Sequence, residues 1–239
     1  MFTYFSSLRK SALFLSAIVS LGVLLAACSK NADIVETPVA RIMAFNLVPD
    51  QDGIGIDLSG NRLLNNPLSY TSFTGGYLNI FPGQRLVESY SFPQGNGMDS
   101  TSFTFEQDQY YSLFVVGADS VYKNVLVWDN YDSLSPAAGK AFVRYIHAVP
   151  QTGESVVTFT GNGSDHQETA AYATVSDFRP INAGDFSIAL ENEGLNRVSR
   201  SITVEENRAY TILFTGLPNA TDTSQSVQIR YILNGTITE

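Results

Sequence analysis

From residue 39 onward, apolar and polar residues alternate in short runs, and no helical period is sustained. In "SVQIRYIL" (226–233), Val227, Ile229, Tyr231 and Leu233 fall on one side of an extended chain, while Gln228 and Arg230 fall on the other. "TSFTFEQ" (101–107) alternates in the same way. These runs are rich in Val, Ile, Phe, Tyr and Thr, which suit a half-buried pleated surface. Turn chemistry separates them: Asp52-Gly53, Gly75-Gly76, Pro82-Gly83, Gly95-Asn96-Gly97, Ala183-Gly184 and Asn234-Gly235. About seven such strands per hundred residues predict an all-β chain of immunoglobulin-like or transthyretin-like antiparallel sandwiches.

The pattern occurs twice. "NLVPDQDGIGIDLSGN" (46–61) aligns with "HAVPQTGESVVTFTGN" (147–162), pairing Val48 with Val149, Pro49 with Pro150, Gly60 with Gly161 and Asn61 with Asn162. "SFTFEQDQYYSLFVVG" (102–117) aligns with "SITVEENRAYTILFTG" (201–216), keeping Ser, Thr, Glu, Tyr and Gly in place. The chain reads as a tandem duplication, with repeat 1 over residues 39–132, a linker "SLSPAAGK" over 133–140 and repeat 2 over 141–239. Each repeat carries a full strand set, so each is expected to be a folding unit.

Ahead of the repeats, Arg9 and Lys10 precede an uncharged apolar run from Ser11 to Ala27, the pattern of a secretory signal peptide. The run ends in Leu25-Ala26-Ala27-Cys28, which resembles a bacterial lipobox, so residues 1–27 are expected to be removed and Cys28 lipidated. Several acyl chains anchor stably where one does not. Residues 28–38 read as a polar tether. Cys28 is the only cysteine, so the fold can hold no internal disulfide. The net charge is −9, and loss of residues 1–27 would remove two bases and no acid. Such a chain has no electrostatic case for nucleic acid or anionic lipid. The expected location is the outer membrane, reached through the lipid alone, with the face left open.

The run Arg-x-x-His-x-x-Pro, a hydrophobic strand closed by Gly, a Tyr-bearing strand, an Ala-Gly or Pro-Gly turn and a closing Tyr-Thr strand resembles the bacterial domain of unknown function 4397 family. Arg144, His147, Pro150, Gly161, Tyr172, Gly184, Tyr210, Thr211 and Gly216 carry the likeness in repeat 2. In repeat 1, Pro49, Asp57, Gly60, Tyr70, Gly83, Tyr111 and Gly117 fit, while Met43 and Asn46 stand where Arg144 and His147 stand. The resemblance implies a secreted or surface-anchored sandwich, sometimes adhesion-like, with no reaction to carry over.

"PDQDGIGIDLSGN" (49–61) has the acid spacing of a calcium loop, but repeat 2 places Gln151, Gly153 and Thr158 at Asp50, Asp52 and Asp57. It departs from the EF-hand pattern and lacks a bidentate Glu, so a structural turn is expected and no metal site. His147 corresponds to Asn46, which favours a hydrogen-bonding task that either side chain performs. Ser164, Asp165 and His166 are contiguous, whereas triad members converge from separate elements. No HExxH, CxxC or glycine-rich phosphate loop is present, so neither an enzyme nor a cofactor is expected. Among the aromatics, Trp128 has no counterpart in repeat 2, and Trp128 with Tyr131 is the candidate ligand contact. The function expected is a lipid-anchored, non-catalytic envelope binding or adhesion-like module. The alternatives are an accessory subunit of an envelope complex and a glycan-binding lipoprotein in nutrient uptake.

Overall fold

The computed structural model describes residues 37–163 and 165–238. The signal peptide, Cys28 and residues 28–36 of the tether lie outside the described residues, as do Ser164 and Glu239.

Repeat 1 comprises β1 (Ala40–Leu47), β2 (Gly53–Leu58), β3 (Asn61–Arg62), β4 (Leu68–Ser69), β5 (Leu78–Ile80), β6 (Gly83–Ser91), β7 (Gly97–Phe105), β8 (Tyr110–Ala118) and β9 (Val121–Trp128). A 3-10 turn (Tyr131–Ser133) opens the connection to repeat 2. Repeat 2 comprises β10 (Lys140–His147), β11 (Ser155–Thr160), β12 (His166–Ala170), β13 (Arg179–Asn182), β14 (Gly184–Asn192), β15 (Leu195–Val204), β16 (Arg208–Thr215) and β17 (Gln228–Thr236). The sheets repeat in order: β5-β1-β8-β9 with β3-β2-β6-β7 in repeat 1, and β13-β10-β16-β17 with β12-β11-β14-β15 in repeat 2. Each repeat is thus a two-sheet sandwich, as the duplicated strand pattern predicts.

Two local expectations differ from the structure. The sandwiches are not wholly antiparallel, because β1 runs parallel to β8 and β10 parallel to β16. Parallel neighbours need a long crossover, and the strands of the opposite sheet supply it. Alternation reports which face a side chain takes and is silent on strand direction. Asn234-Gly235 is no turn; it lies inside β17, where the register slips opposite Ala209 and Tyr210. A Gly within a strand commonly marks such a bulge.

Burial explains the layering. In β1, Ile42 and Ala44 enter the core of repeat 1, while Met43, Phe45 and Leu47 enter a second core on the opposite face. That second core also takes Phe114 and Val116 from β8, Val125 from β9, and Ile146, Ala148 and Leu213 from repeat 2. The inner sheet of each repeat therefore packs its own outer sheet on one face and the other repeat on the other. Phe45 stacks on Phe114 at 4.6 Å between centroids and on Phe73 at 5.6 Å.

Within this apolar layer sits one ion pair. Arg144 Nη1 of β10 donates to Asp129 Oδ1 at the end of β9, at 2.5 Å, and both side chains are buried. Arg144 Nη2 donates to Ser112 Oγ at 2.8 Å and Nε to Thr211 Oγ1 at 2.9 Å. Ser112 in turn donates to Asp129 Oδ2 at 2.8 Å, and Thr211 to Asn234 Oδ1 at 2.6 Å. Tyr77 completes the carboxylate shell with a 2.5 Å bond to Oδ2. The guanidinium lies over the ring of Phe178, 4.4 Å from its centroid.

Gly117 and Gly216, matched between the repeats in sequence, close β8 and follow β16 at φ 128° and 117°. A Cβ at either would collide with backbone, the carbonyl oxygen of Val121 at the start of β9 or of Ser226 just before β17. Only glycine meets both constraints. Gly117→Ala and Gly216→Ala should each destabilise the chain by at least ~2 kcal/mol, since the left-handed penalty alone is about 1–2 kcal/mol. Urea unfolding of each variant measures this.

Candidate functional site

The acidic loop of residues 49–53 lies at one end of the repeat 1 sandwich. Asp50 Oδ2 accepts the Asp119 amide at 2.8 Å and the Tyr122 hydroxyl at 3.1 Å, so this carboxylate ties the β1–β2 loop to the tight β8–β9 turn. In that turn Asp119 and Ser120 both have positive φ. Asp57 lies in β2 and accepts the Tyr90 hydroxyl at 3.1 Å. The three acids thus serve separate tasks, with Asp52 alone exposed. Among the described residues no three His, Cys, Asp or Glu side chains gather closely enough to hold a metal ion.

Beside the loop opens a cleft of about 680 Å³. Asp50, Gln51 and Asp52 form one wall, the β6–β7 turn with Phe92, Gln94 and Asn96 another, and Ser120 with Tyr122 a third. Gln225 of repeat 2 closes it. The β8–β9 turn spans two residues, but the corresponding β16–β17 connection runs over residues 216–227 and brings Gln225 to the first repeat. Gln151, the counterpart of Asp50, also crosses between repeats, donating to Asp119 Oδ2 at 2.7 Å. A smaller cavity of about 440 Å³, between the β14–β15 turn and the 216–227 loop, is the repeat 2 counterpart.

The sequence-predicted contact residues lie elsewhere and line different concavities. Trp128, at the far end of β9, is 50% exposed, and its Nε1 donates to Gln109 Oε1 at 2.8 Å. It borders a pocket of about 280 Å³ with Asn130, Arg144, Asp177 and Phe178. Tyr131 lines a separate groove of about 400 Å³ with Tyr77 and Tyr110. Its ring stacks on Phe178 of repeat 2 at 5.8 Å, and its hydroxyl lies 2.7 Å from that of Tyr77. Burial, reinforced by the nearby Asp129 carboxylate, raises the pKa of both tyrosines, so neither is a ready proton donor.

His147 and Asn46 perform the same task. Asn46 Oδ1 accepts the Val48 amide at 3.0 Å, and His147 Nδ1 accepts the Val149 amide at 3.4 Å. With Nδ1 as acceptor, the ring proton sits on Nε2, which lies 2.9 Å from Ser155 Oγ. Burial holds His147 neutral, its pKa lowered to about 4. In the "GNGSDHQE" stretch, Asp165 Oδ1 accepts the Gly161 amide at 2.7 Å, while His166 pairs with Glu168 at 3.3 Å.

Phe92, Ser91, Tyr122 and Gln225 at the cleft were not singled out by sequence reasoning. The available signal was the extra length between Gly216 and the last strand, beyond what separates Gly117 from β9.

Fold and site together define a protein of two fused β-sandwiches, with a cleft of about 680 Å³ built by the loops at one end. The chain belongs to the family described as a domain of unknown function (DUF4397), whose model matches residues 40–158 and again 141–229. No curated protein matches it. Among solved structures, it is similar to a "putative cell adhesion protein" of Bacteroides eggerthii, with 12% identity, coverage of 85% of this chain and 98% of that one, and a TM-score of 0.24. It is also similar to a leucine-rich repeat protein of Bacteroides thetaiotaomicron, with 12% identity, coverage of 73% of this chain and a TM-score of 0.20. The chain spans only 26% of the latter. At these scores neither likeness decides what this chain binds.

The His147 environment sets a pH dependence. A histidine whose folded pKa is about 4, against an ordinary 6.5, contributes fully above pH 6.5. Between pH 6.5 and 4 the unfolded chain takes up a proton that the folded chain refuses, so stability falls as pH falls. The loss should reach at most ~3 kcal/mol, at 1.36 kcal/mol per pKa unit. His147→Asn, which keeps the acceptor that Asn46 supplies, should flatten this part of the profile in urea titrations from pH 7 to pH 4.

Proposed function

We propose that the chain is a non-catalytic binding module of the cell envelope, adhesion-like in use and held at the outer membrane by lipid on Cys28. The observation that carries the reading is the cleft at the Asp50 loop. Residues from both repeats line it, so fusing the two copies makes a surface that neither copy has alone. Its walls are polar side chains beside the half-exposed ring of Phe92, a composition suited to reversible recognition. The two histidines support the absence of catalysis, since His147 is buried and engaged in the fold and His166 is paired with Glu168. Lipid anchoring rests on Leu25-Ala26-Ala27-Cys28 and the uncharged run before it.

Two measurements test the two parts. Labelled fatty acid should enter the parent chain and not Cys28→Ala; equal labelling removes the anchor. The purified chain should bind isolated outer-membrane preparations saturably, and Phe92→Ala should weaken that binding several-fold. Undiminished binding by the variant would place recognition elsewhere on the molecule.

A further inference from the structure

The cleft at the Asp50 loop holds two polar atoms that the fold leaves without partners. Ser91 is 6% exposed at the end of β6, and its Oγ makes no hydrogen bond. Asp50 Oδ1 is likewise buried and unpartnered, although Oδ2 of the same carboxylate is fully engaged. Both residues line the cleft. Buried polar atoms are nearly always satisfied, so two orphans on residues that line one concavity call for an explanation outside the fold.

The orphans define the complement. A carboxylate oxygen only accepts, so the ligand must donate there; a serine hydroxyl both donates and accepts. Gln51, Gln94 and Gln225 add amides that offer both roles, and Phe92 presents a ring that is 47% exposed. Among the described residues no lysine or arginine lines the cleft, while Asp50 and Asp52 do, so an anionic ligand is repelled. A ligand carrying many hydroxyls, no negative charge and one apolar face fits all of these. We infer that this cleft is a binding site for a neutral saccharide, with Asp50 Oδ1 and Ser91 Oγ taking its hydroxyls and Phe92 covering its apolar face. Trp128, at the other end of β9, has no part in it. The cleft takes this role only if the chain is the binding module proposed above.

The test uses the full-length chain in a detergent without a sugar headgroup. Its probe is an array of neutral gluco-, manno-, xylo- and N-acetylhexosamine oligosaccharides beside sialylated and sulfated ones. Neutral members should bind saturably and acidic ones should not. Ser91→Ala and Phe92→Ala should each weaken binding at least tenfold, and Trp128→Ala should leave it unchanged. Ser91→Ala keeps the result interpretable, because removing a hydroxyl that has no partner in the fold should leave the melting temperature within ~2 °C of the parent or raise it. The saccharide assignment is overturned by an array with no neutral member bound, by binding that a chelator abolishes, or by loss of binding in Trp128→Ala alone. A Ser91→Ala melting point several degrees lower overturns it too, since the hydroxyl would then have a partner in the fold. Saturable, Phe92-dependent binding to outer-membrane preparations alongside an unbound array would sink the saccharide and spare the binding module.

Discussion

The contact between Arg144 and Asp129 governs how the two halves of this molecule meet. One partner comes from each repeat, both are withdrawn from water, and the layer around them is apolar. Burying two charges is costly, and attraction repays that cost only when geometry and hydrogen bonding are complete. Here they nearly are: Ser112, Thr211 and Tyr77 engage the guanidinium and carboxylate, and Phe178 covers the cation. Such a pair adds little stability over an apolar substitute, but it penalises any displacement that separates the charges. Its effect is to fix the register of one sandwich on the other. The apolar contacts of Phe45, Phe114, Ile146 and Leu213 supply the attraction; the ion pair decides where it is satisfied.

That register has a structural consequence at the other end of β9. Gln225 can close the cleft beside Asp50, and Gln151 can reach Asp119, only while the inner sheets hold their alignment. The repeat 2 connection over residues 216–227 is long enough to reach the neighbouring repeat as well as its own. The duplication is therefore not two copies of one site. It is a pair in which one copy keeps a tight two-residue turn and the other provides the bridging loop.

Much of the fold was legible in the sequence. Alternation located the strands, matched glycines such as Gly117 and Gly216 located the copies, and the Asn46 and His147 correspondence disclosed a shared hydrogen-bonding task. Four things were not legible, each for a physical reason. Strand direction leaves no trace in a period of two, so the parallel β1–β8 and β10–β16 pairs were hidden. The continuous burial of "IMAFNL" and "SLFVVGA" does report two covered faces. What covers the second face depends on the partner sheet, which local pattern does not contain. Met43 in place of Arg144 reads as a weaker copy, yet it reflects an asymmetric interface that needs one cation and one acid. The cleft was least visible, because Gln225 is far in the chain from the adjacent pair Ser91 and Phe92, and all three are ordinary in their local contexts.

The central claim is that a shared core and one buried ion pair make the two repeats a single cooperative body, although each also has a core of its own. Scanning calorimetry of the full chain tests it most directly. The account predicts one transition with equal calorimetric and van't Hoff enthalpies. It also predicts that Asp129→Ala, which strands a buried cation, lowers that whole transition by an amount equivalent to ~3–5 kcal/mol. Two resolved transitions in the parent chain, or a variant in which only one half shifts, would contradict it.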